Sequence, residues 1–328
     1  MAQETSAGPT NEKAQKTYEK ALKTLSEHKT ALALEDFKRA DKQDDGHCRA
    51  CQEQIIKCAI ELREWKTAEL AAEEMVAGAQ GERETAIAHH QLAVVLVDEG
   101  LKSHKDEFFA RAHEEIAKAL TAHANFPDAI YVDGRALAQL RQDEAAKARF
   151  EQFLKMTPVD NPDRPRVLRY ISRPELARAN LAPAFTVTTI DGKRFSLDDL
   201  QGKVVLLDFW AMWCGPCVHA LPQIREVAKK FQGQPLVILS VSLDSDEQKW
   251  KDFVGKHEMT WPQYRDGDFE GPIARMFNVK AIPNTFTIDV DGVLQEEHIG
   301  DDDSSIEGEL KKLIAQAREL HPAEKAQQ

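Results

Sequence analysis

Residues 204–217 have the sequence VVLLDFWAMWCGPC, and this stretch decides the fold of the second half of the chain. Its first seven residues are almost all apolar, which is typical of a strand buried on both faces of a sheet. It ends in Cys214 and Cys217, at the start of a helical pattern that runs to about Phe231. Two cysteines at this spacing can close into a disulfide and reopen, so the pattern indicates a catalytic dithiol.

Strand and helix patterns alternate around this stretch. A hairpin is predicted before it, over 185–197, and a second apolar strand after it, over 236–242. A helix over 247–256, a loop after Pro262 and a short helix near 273–277 are predicted next. Two strands joined by an Asp-Gly turn and a last helix follow, at 285–288, 293–296 and 304–320. This order of elements is that of a thioredoxin fold, a central mixed sheet flanked by helices.

Residues 181–320 resemble the thioredoxin-like redoxins of the TlpA/ResA type, which are bacterial thiol–disulfide oxidoreductases. Residues 205–217 match their active-site segment, and the hairpin region 184–203 matches their N-terminal addition. Residues 281–286, AIPNTF, match the loop in which the family holds a cis-proline, here Pro283. The resemblance implies thiol–disulfide exchange with no cofactor and no metal.

The two cysteines are expected to play different parts. Cys214 precedes the first helical turn, where free amide groups and the helix dipole favour a thiolate, the nucleophilic form. Cys217, one turn later, is expected to resolve the mixed disulfide. Gly215 and Pro216 keep the turn tight. The family's more oxidising members have His between the cysteines, so Gly-Pro implies a reductant.

The resemblance also implies a base beneath the dithiol. Asp208 matches the buried carboxylate that takes the proton of the resolving thiol, and burial raises the pKa of such a group. The alternative is an Asp that caps the following turn. Two departures from the family are plain: Ala220 stands where many ResA-type proteins have Glu, and Ser240 and Ser242 stand on the strand where thioredoxin has Lys.

A substrate surface is expected beside the cysteines. If the bond before Pro283 is cis, the backbone of Ile282 is free to pair with an extended substrate. Trp213 is expected to be a partly exposed platform for that substrate, whereas Trp210 is expected in the core. The rest of the flat surface is assigned to Gly215, Pro216 and Ile282.

Residues 11–156 are rich in Ala, Glu, Lys and Leu and carry a repeated apolar triplet. Its copies begin at Ala33, Ala68, Ala112 and Ala146, at intervals of 35, 44 and 34 residues. A period near 34 residues is that of the tetratricopeptide repeat, a helical hairpin. We expect an all-α, tetratricopeptide-like solenoid of four repeats that binds a protein or peptide, with an insertion around 100–104. The alternative is an irregular helical bundle.

The predicted layout has five parts. Prolines at 158, 162, 165 and 174 indicate a linker between the two domains. The parts are a disordered N-terminus 1–10, a helical repeat domain 11–160, a linker 161–180, a thioredoxin-like domain 181–320 and a C-terminal tail 321–328.

A second group of cysteines lies in the repeat region. Cys48 and Cys51 form another C-x-x-C pair, and Cys58 follows on the same helix face. Packing as small buried residues is the favoured interpretation. A disulfide or redox relay is the second interpretation, and a metal site with His47 is the third.

The composition argues against some classes of binding partner. The net charge of −12 argues against binding of nucleic acid or an anionic membrane. No apolar run reaches the roughly 18 residues of a membrane span. The polar first ten residues look like the start of a mature exported protein, so we expect a periplasmic or extracytoplasmic location, with a cytoplasmic one as the alternative.

Together these patterns predict a reductant of protein disulfides, with an electron-donor protein as a second partner and a protein docked on the repeats. A disulfide oxidase or isomerase is one alternative. A scaffold whose function lies in the repeats, with a secondary redox domain, is another. A peroxiredoxin is disfavoured because neither Cys214 nor Cys217 stands in the Pro-x-x-x-Thr-x-x-Cys context of its reactive cysteine.

Overall fold

The computed structural model describes residues 8–300 and 306–320. The chain forms two compact units, divided between Arg178 and Ala179. The described part of the first unit is helical, and the second unit combines a mixed sheet with helices. This architecture confirms the predicted fold class. The predicted C-terminal tail and the first seven residues of the predicted disordered N-terminus lie outside the described residues.

Nine α-helices form the first unit within the described residues, and each packs against the next along the chain. The predicted apolar triplets all fall on α2, α4, α6 and α8, and all twelve side chains are buried. The helices are α1 Glu12–Ser26, α2 Thr30–Gln43, α3 Arg49–Leu62, α4 Trp65–Gly78, α5 Gly81–Ser103, α6 Asp106–Ala122, α7 Pro127–Gln139, α8 Asp143–Met156 and α9 Arg164–Ser172.

The long second interval, the 44 residues between Ala68 and Ala112, comes from longer helices. Helix α5 has 23 residues and α6 has 17, whereas α3 and α4 have 14 each. The predicted insertion around 100–104 therefore lies at the end of α5 and is helical up to Ser103. Gly100 lets the next helix approach, because a Cβ there would lie 2.7 Å from Cε1 of Phe109.

Residues 161–178 of the predicted linker 161–180 are part of the first unit, and the last two residues belong to the second. Helix α9 and a 3₁₀ turn at Pro174–Ala177 pack against α7 and α8, and Val167 and Tyr170 are buried. Two of the four prolines that suggested a linker, Pro165 and Pro174, occupy first turns of these helices, where the missing amide costs no hydrogen bond. Proline therefore starts new helices here, and the first unit continues to Arg178.

The second unit contains the two sheets. Its elements are β1 Thr186–Thr188, β2 Arg194–Ser196, a 3₁₀ turn Leu197–Leu200, β3 Val204–Trp210, α10 Gly215–Lys230, β4 Leu236–Ser242, α11 Glu247–Lys256, β5 Gln263–Arg265, α12 Pro272–Met276, β6 Asn284–Ile288, β7 Leu294–Ile299 and α13 Ile306–Leu320. Strands β1 and β2 form the predicted hairpin as a separate sheet.

The main sheet has the strand order β5-β4-β3-β6-β7. Strand β3 is parallel to β4 and antiparallel to β6, and all seven of its residues are buried. Strand β5 was predicted as a loop, which is wrong: its three residues pair in parallel with the end of β4. Three residues are too few to show a strand pattern, and only the pairing with β4 makes them one.

None of the helices within 8–300 and 306–320 is both long and apolar enough to cross a membrane. Residues 8–10 were predicted as disordered, but Pro9 is buried, and the amide and hydroxyl of Thr10 donate hydrogen bonds to Asp44 at 2.7–3.1 Å. The N-terminal segment is thus tied to the turn after α2.

Packing at Gly134 gives a test of the helical unit. A Cβ at Gly134 would lie 2.6 Å from Cε1 of Phe150, a buried ring that also contacts Tyr170. We expect Gly134→Ala to lower the free energy of unfolding by about 2 kcal/mol through overpacking. The measurement is urea unfolding followed by the helical circular dichroism signal.

Gly78→Ala is the matched control, because a Cβ there meets no heavy atom within 4 Å. Alanine is the better helix former, so this variant should be neutral or slightly more stable. Equal stability of the two variants would contradict the close helix contact at Gly134.

Candidate active site

The dithiol lies where β3 passes into α10. Cys214 is the N-cap of α10, and its sulfur accepts a hydrogen bond from the amide of Cys217 at 3.2 Å. The two sulfurs are joined in a disulfide, and both residues are largely buried. After reduction the Cys214 sulfur would stay at the positive end of the helix, facing an amide donor. Both effects stabilise a thiolate.

A buried carboxylate holds the turn that leads to Cys214. Both oxygens of Asp244 accept hydrogen bonds from the amide of Met212, at 3.0 and 3.1 Å. The hydroxyl of Ser242 donates to Asp244 at 2.7 Å, and Asp244 is 1% exposed. Asp244 is not among the site residues predicted from the sequence. Its position just after β4, at the carboxyl end of the parallel strands, was the available signal.

The loop that carries Pro283 faces the disulfide. The peptide bond between Ile282 and Pro283 is cis, and the carbonyl oxygen of Ile282 lies 3.7 Å from the Cys214 sulfur. The carbonyl of Pro283 accepts a hydrogen bond from the amide of Gly300 at 2.9 Å, which anchors the loop to the end of β7. The structure therefore brings Ile282 and Pro283 to the cysteines, although they are distant in sequence.

An apolar surface borders the dithiol. The side chain of Trp213 is 61% exposed, and its ring centroid lies 6.3 Å from that of Phe269. Gly215 and Pro216 are exposed, and Ile282 is partly buried. Phe269, which the sequence analysis did not single out, extends this surface. Trp210, in contrast, is buried in the core.

Asp208 lies within β3, not at its end, and is 5% exposed. The hydroxyl of Ser240 donates a hydrogen bond to Oδ2 of Asp208 at 2.7 Å. The indole Nε1 of Trp261 donates in turn to the Ser240 oxygen at 2.8 Å. The strand on which thioredoxin has an ammonium group thus presents a hydroxyl to the Asp208 carboxylate. The hydrogen bond from Trp261 fixes the direction of that hydroxyl.

Asp208 belongs to a polar row that crosses the whole sheet. Paired residues on neighbouring strands present adjacent side chains on one face. The row consists, from β5 to β7, of Gln263, Ser240, Asp208, Thr285 and His298. At its outer end, Nε2 of His298 lies 2.9 Å from Oε2 of Glu309 on α13. Sequence reasoning missed this row because it depends on the register of five strands.

One group of side chains within the described residues could offer three ligands to a metal ion. The ligand atoms of Glu296, His298 and Glu309 lie within 4.8 Å of one another. The His298–Glu309 contact already occupies two of these side chains, and Glu296 is exposed. The arrangement is a cluster of one imidazole and two carboxylates at the outer end of the polar row.

The second cysteine group differs from its favoured interpretation. Cys48 and Cys51 are joined in a disulfide, so the interpretation as plain packing residues is wrong, and the metal interpretation fails with it. The physical reason is that Cys48 caps α3, which places its sulfur within bonding reach of Cys51. Cys58 stays a buried free thiol, and burial raises its pKa to about 11.

Comparison with known proteins agrees with this geometry. Residues 179–297 match the AhpC/TSA family. Over 133 residues the chain is 35% identical to the thiol-disulfide oxidoreductase ResA of a Bacillus cereus strain, an alignment that covers 40% of this chain and 76% of that protein. It is 34% identical over 122 residues to the thioredoxin-like protein YneN of Bacillus subtilis (strain 168), covering 36% and 69%.

Among solved structures, the thioredoxin domain of a thiol-disulfide oxidoreductase from Bacteroides vulgatus is 25% identical to this chain. The alignment covers 42% of this chain and 97% of that domain, with a TM-score of 0.38.

The role of Asp244 gives a test of the site. Asp244→Ala leaves the Met212 amide without its charged acceptor, so hydrogen exchange at that amide should rise at least about tenfold and stability should fall by about 2 kcal/mol. Exchange is measured by mass spectrometry on the turn peptide, and stability by urea unfolding.

Asp246→Ala is the control, because Asp246 is an N-cap of α11 that accepts from the Lys249 amide at 3.0 Å. Its loss should cost about 1 kcal/mol and leave exchange at Met212 unchanged. Unchanged exchange at Met212 in Asp244→Ala would show that Asp244 does not hold the turn.

Proposed function

Since the chain belongs to the thioredoxin-like family of ResA-type thiol–disulfide oxidoreductases, we propose that it reduces disulfides in protein substrates through Cys214 and Cys217. The observation that carries this proposal is the disulfide at the N-terminus of α10, facing the Ile282 carbonyl. A substrate disulfide that rests on Trp213 and pairs with the backbone of Ile282 would meet the Cys214 sulfur directly.

The first step is attack by the Cys214 thiolate on the substrate disulfide. The substrate S–S bond breaks, a bond forms between Cys214 and one substrate sulfur, and the other sulfur leaves as a thiolate that takes a proton from water. The Cys217 amide, 3.2 Å from the Cys214 sulfur, favours the thiolate that starts this step.

The second step releases the substrate. Cys217 gives its proton to Asp208 and attacks the Cys214 sulfur, which forms the disulfide seen in the structure and frees the second substrate thiolate. Two electrons pass from the dithiol to the substrate. The Ser240 hydroxyl, 2.7 Å from Asp208, orients the carboxylate that receives the proton.

Re-reduction needs an electron-donor protein with a dithiol of its own. The Gly-Pro pair between the cysteines supports the reducing direction, and an oxidase or isomerase is the alternative. The midpoint potential of the Cys214–Cys217 pair separates them: a value near about −270 mV supports a reductant, and one between about −180 and −120 mV supports the alternative.

Where the family has a Glu after the second cysteine, this chain has the buried residue Ala220. The chain therefore lacks the carboxylate on which a role in cytochrome maturation would depend, and we propose general protein disulfides as substrates.

For the first unit we propose tetratricopeptide-like repeats that dock a protein partner. Four helical hairpins with buried triplets support this proposal. So do Ala21, Gly100 and Gly134, each twelve residues before the first alanine of a triplet, where small residues let paired helices approach. Leu32 and Leu70 are 62% and 50% exposed, and they offer apolar contacts to a partner.

Docking on the repeats is tested by replacing Leu32 and Leu70 with Glu in the full chain. Reduction of folded protein substrates should slow several-fold, whereas reduction of a small peptide disulfide should not change, because only the former needs the docking surface. Equal rates for both substrates in this variant would remove the support for docking.

We propose an extracytoplasmic location. The disulfide between Cys48 and Cys51 supports it, because disulfides persist in oxidising compartments and are rare in the cytosol. Localisation of the expressed protein by cell fractionation tests this; recovery in the cytosolic fraction would contradict it.

The order of the two cysteines predicts a clear asymmetry. Cys217→Ser should accumulate a covalent complex with substrate, because the first attack is intact and the resolving thiol is missing. Cys214→Ser should trap substrate at least about tenfold less. The measurement is non-reducing electrophoresis and mass spectrometry after incubation with an excess of a disulfide-containing protein.

Asp208→Asn extends this test, since the base is then neutral: the mixed disulfide should persist longer than in the unaltered protein while its rate of formation is unchanged. Equal trapping by the two serine variants would contradict the assignment. Full biological activity of Cys214→Ser would favour the scaffold alternative.

A further inference from the structure

We propose that Cys48 and Cys51 form a second thiol–disulfide exchange site, which is opened by a dithiol of the thioredoxin type. Cys48 is the N-cap of α3, just as Cys214 is the N-cap of α10. The Cys48 sulfur accepts a hydrogen bond from the Cys51 amide at 3.1 Å, against 3.2 Å in the active site. The Cα atoms are 5.2 Å apart in both pairs.

This local geometry favours exchange over a purely structural role. The helix N-terminus and the Cys51 amide stabilise a Cys48 thiolate, which makes Cys48 a good leaving group when the bridge is attacked. A bridge between residues three apart closes a very short loop, and the stabilisation from a disulfide grows with loop length. The bridge therefore constrains the unfolded chain little.

A carboxyl group lies next to the pair. Oδ1 of Asp41 accepts a hydrogen bond from the Cys48 amide at 3.1 Å, and Asp41 is buried. Burial raises the pKa of Asp41 to about 6. Glu74 and Asp44 raise this pKa by smaller amounts, and the Cys48 amide and His47 lower it by smaller amounts. A carboxyl that titrates so close to neutrality can exchange a proton with a neighbouring thiol.

The surroundings allow the site to open locally. Both cysteines are buried, but they form a small cluster with Ala40 and Ala50 that is separate from the main helical core, and Tyr18 packs against both clusters. The Asp44 carboxylate accepts hydrogen bonds from Thr10 and Asn11 and so ties the N-terminal segment to the turn before Cys48. The turn itself is held by the side-chain amide of Gln52, which donates to the Gly46 carbonyl at 3.0 Å. We expect the bridge to become accessible when these few contacts are lost, because regions held by few contacts open locally at low cost.

The exchange balances without further reactants. One thiolate of the incoming dithiol attacks Cys51 or Cys48, the Cys48–Cys51 bond breaks, and a mixed disulfide forms. The second thiolate of the incoming pair then attacks the donor sulfur in this mixed disulfide, which forms the donor's disulfide and releases the bound cysteine of the acceptor as a thiolate. Two electrons and two protons pass to Cys48 and Cys51. The proposed function supplies one donor of this class, which is the chain's own Cys214–Cys217 dithiol.

The test uses the full chain with Cys214→Ser and Cys217→Ser as acceptor, so that Cys48–Cys51 is its remaining disulfide. The donor is the reduced, ¹⁵N-labelled unaltered chain, and a second arm uses dithiothreitol at the same dithiol concentration. Free thiols are alkylated after acid quenching and counted on each chain by mass spectrometry. Cys58 contributes a constant count, since its thiol is free throughout.

We expect two thiols to appear on the acceptor at least tenfold faster with the protein donor than with dithiothreitol. Asp44→Ala in the acceptor should raise the rate at least fivefold in both arms, whereas the exposed Lys42→Ala should not. An acceptor that keeps its disulfide in both arms, with Asp44→Ala as well, would overturn the proposal.

The donor's reduction of insulin disulfides is measured in parallel. A donor that reduces insulin but leaves Cys48–Cys51 oxidised refutes the second site alone. Another outcome is a donor that does not reduce insulin, while dithiothreitol reduces the acceptor and does so faster with Asp44→Ala. This outcome refutes the proposed function and supports the second site.

Discussion

The central position of β3 is the constraint on which the second unit depends. All seven of its residues are buried, and it pairs with β4 on one side and β6 on the other. Because the strand cannot shift without exposing its apolar residues, its carboxyl end is held in place. That end delivers Cys214 to the N-terminus of α10, while β6 brings Pro283 and Ile282 to the same edge.

The same strand carries Asp208, the carboxylate proposed as the base. Asp208 pairs with Ser240 on β4 and Thr285 on β6, so neighbouring strands supply its polar surroundings. The Trp261 indole and the Ser240 hydroxyl form a directed chain of donors that ends on the carboxylate. Charge neutralisation by a lysine is thereby replaced with hydrogen bonding, a weaker but more directional interaction.

The helical unit and the catalytic unit share one local feature, a bonded pair of cysteines at a helix N-terminus. In both, a cysteine caps a helix and bonds to the cysteine three residues on. The helix N-terminus supplies what each pair needs, free amides that stabilise a thiolate. If both pairs exchange, the helical unit itself responds to the redox state that the catalytic unit sets. The hydrogen bonds between Asp44 and the N-terminal segment then control how readily it does so.

Local patterns in the sequence determined the central strand, the position of the dithiol and the helical hairpins. The apolar run 204–210, the Cys-Gly-Pro-Cys motif and the repeated triplets predicted β3, the dithiol and the four helical hairpins, because each pattern depends on neighbours along the chain. Only the tertiary structure decided four other features. They are β5 as a strand, the packing of residues 164–178 on the first unit, the hydrogen bonds from the Met212 amide to Asp244 and the polar row through Asp208. These features depend on which distant residues pair, and hydrogen bonds and strand register at that distance leave no periodic trace in the sequence.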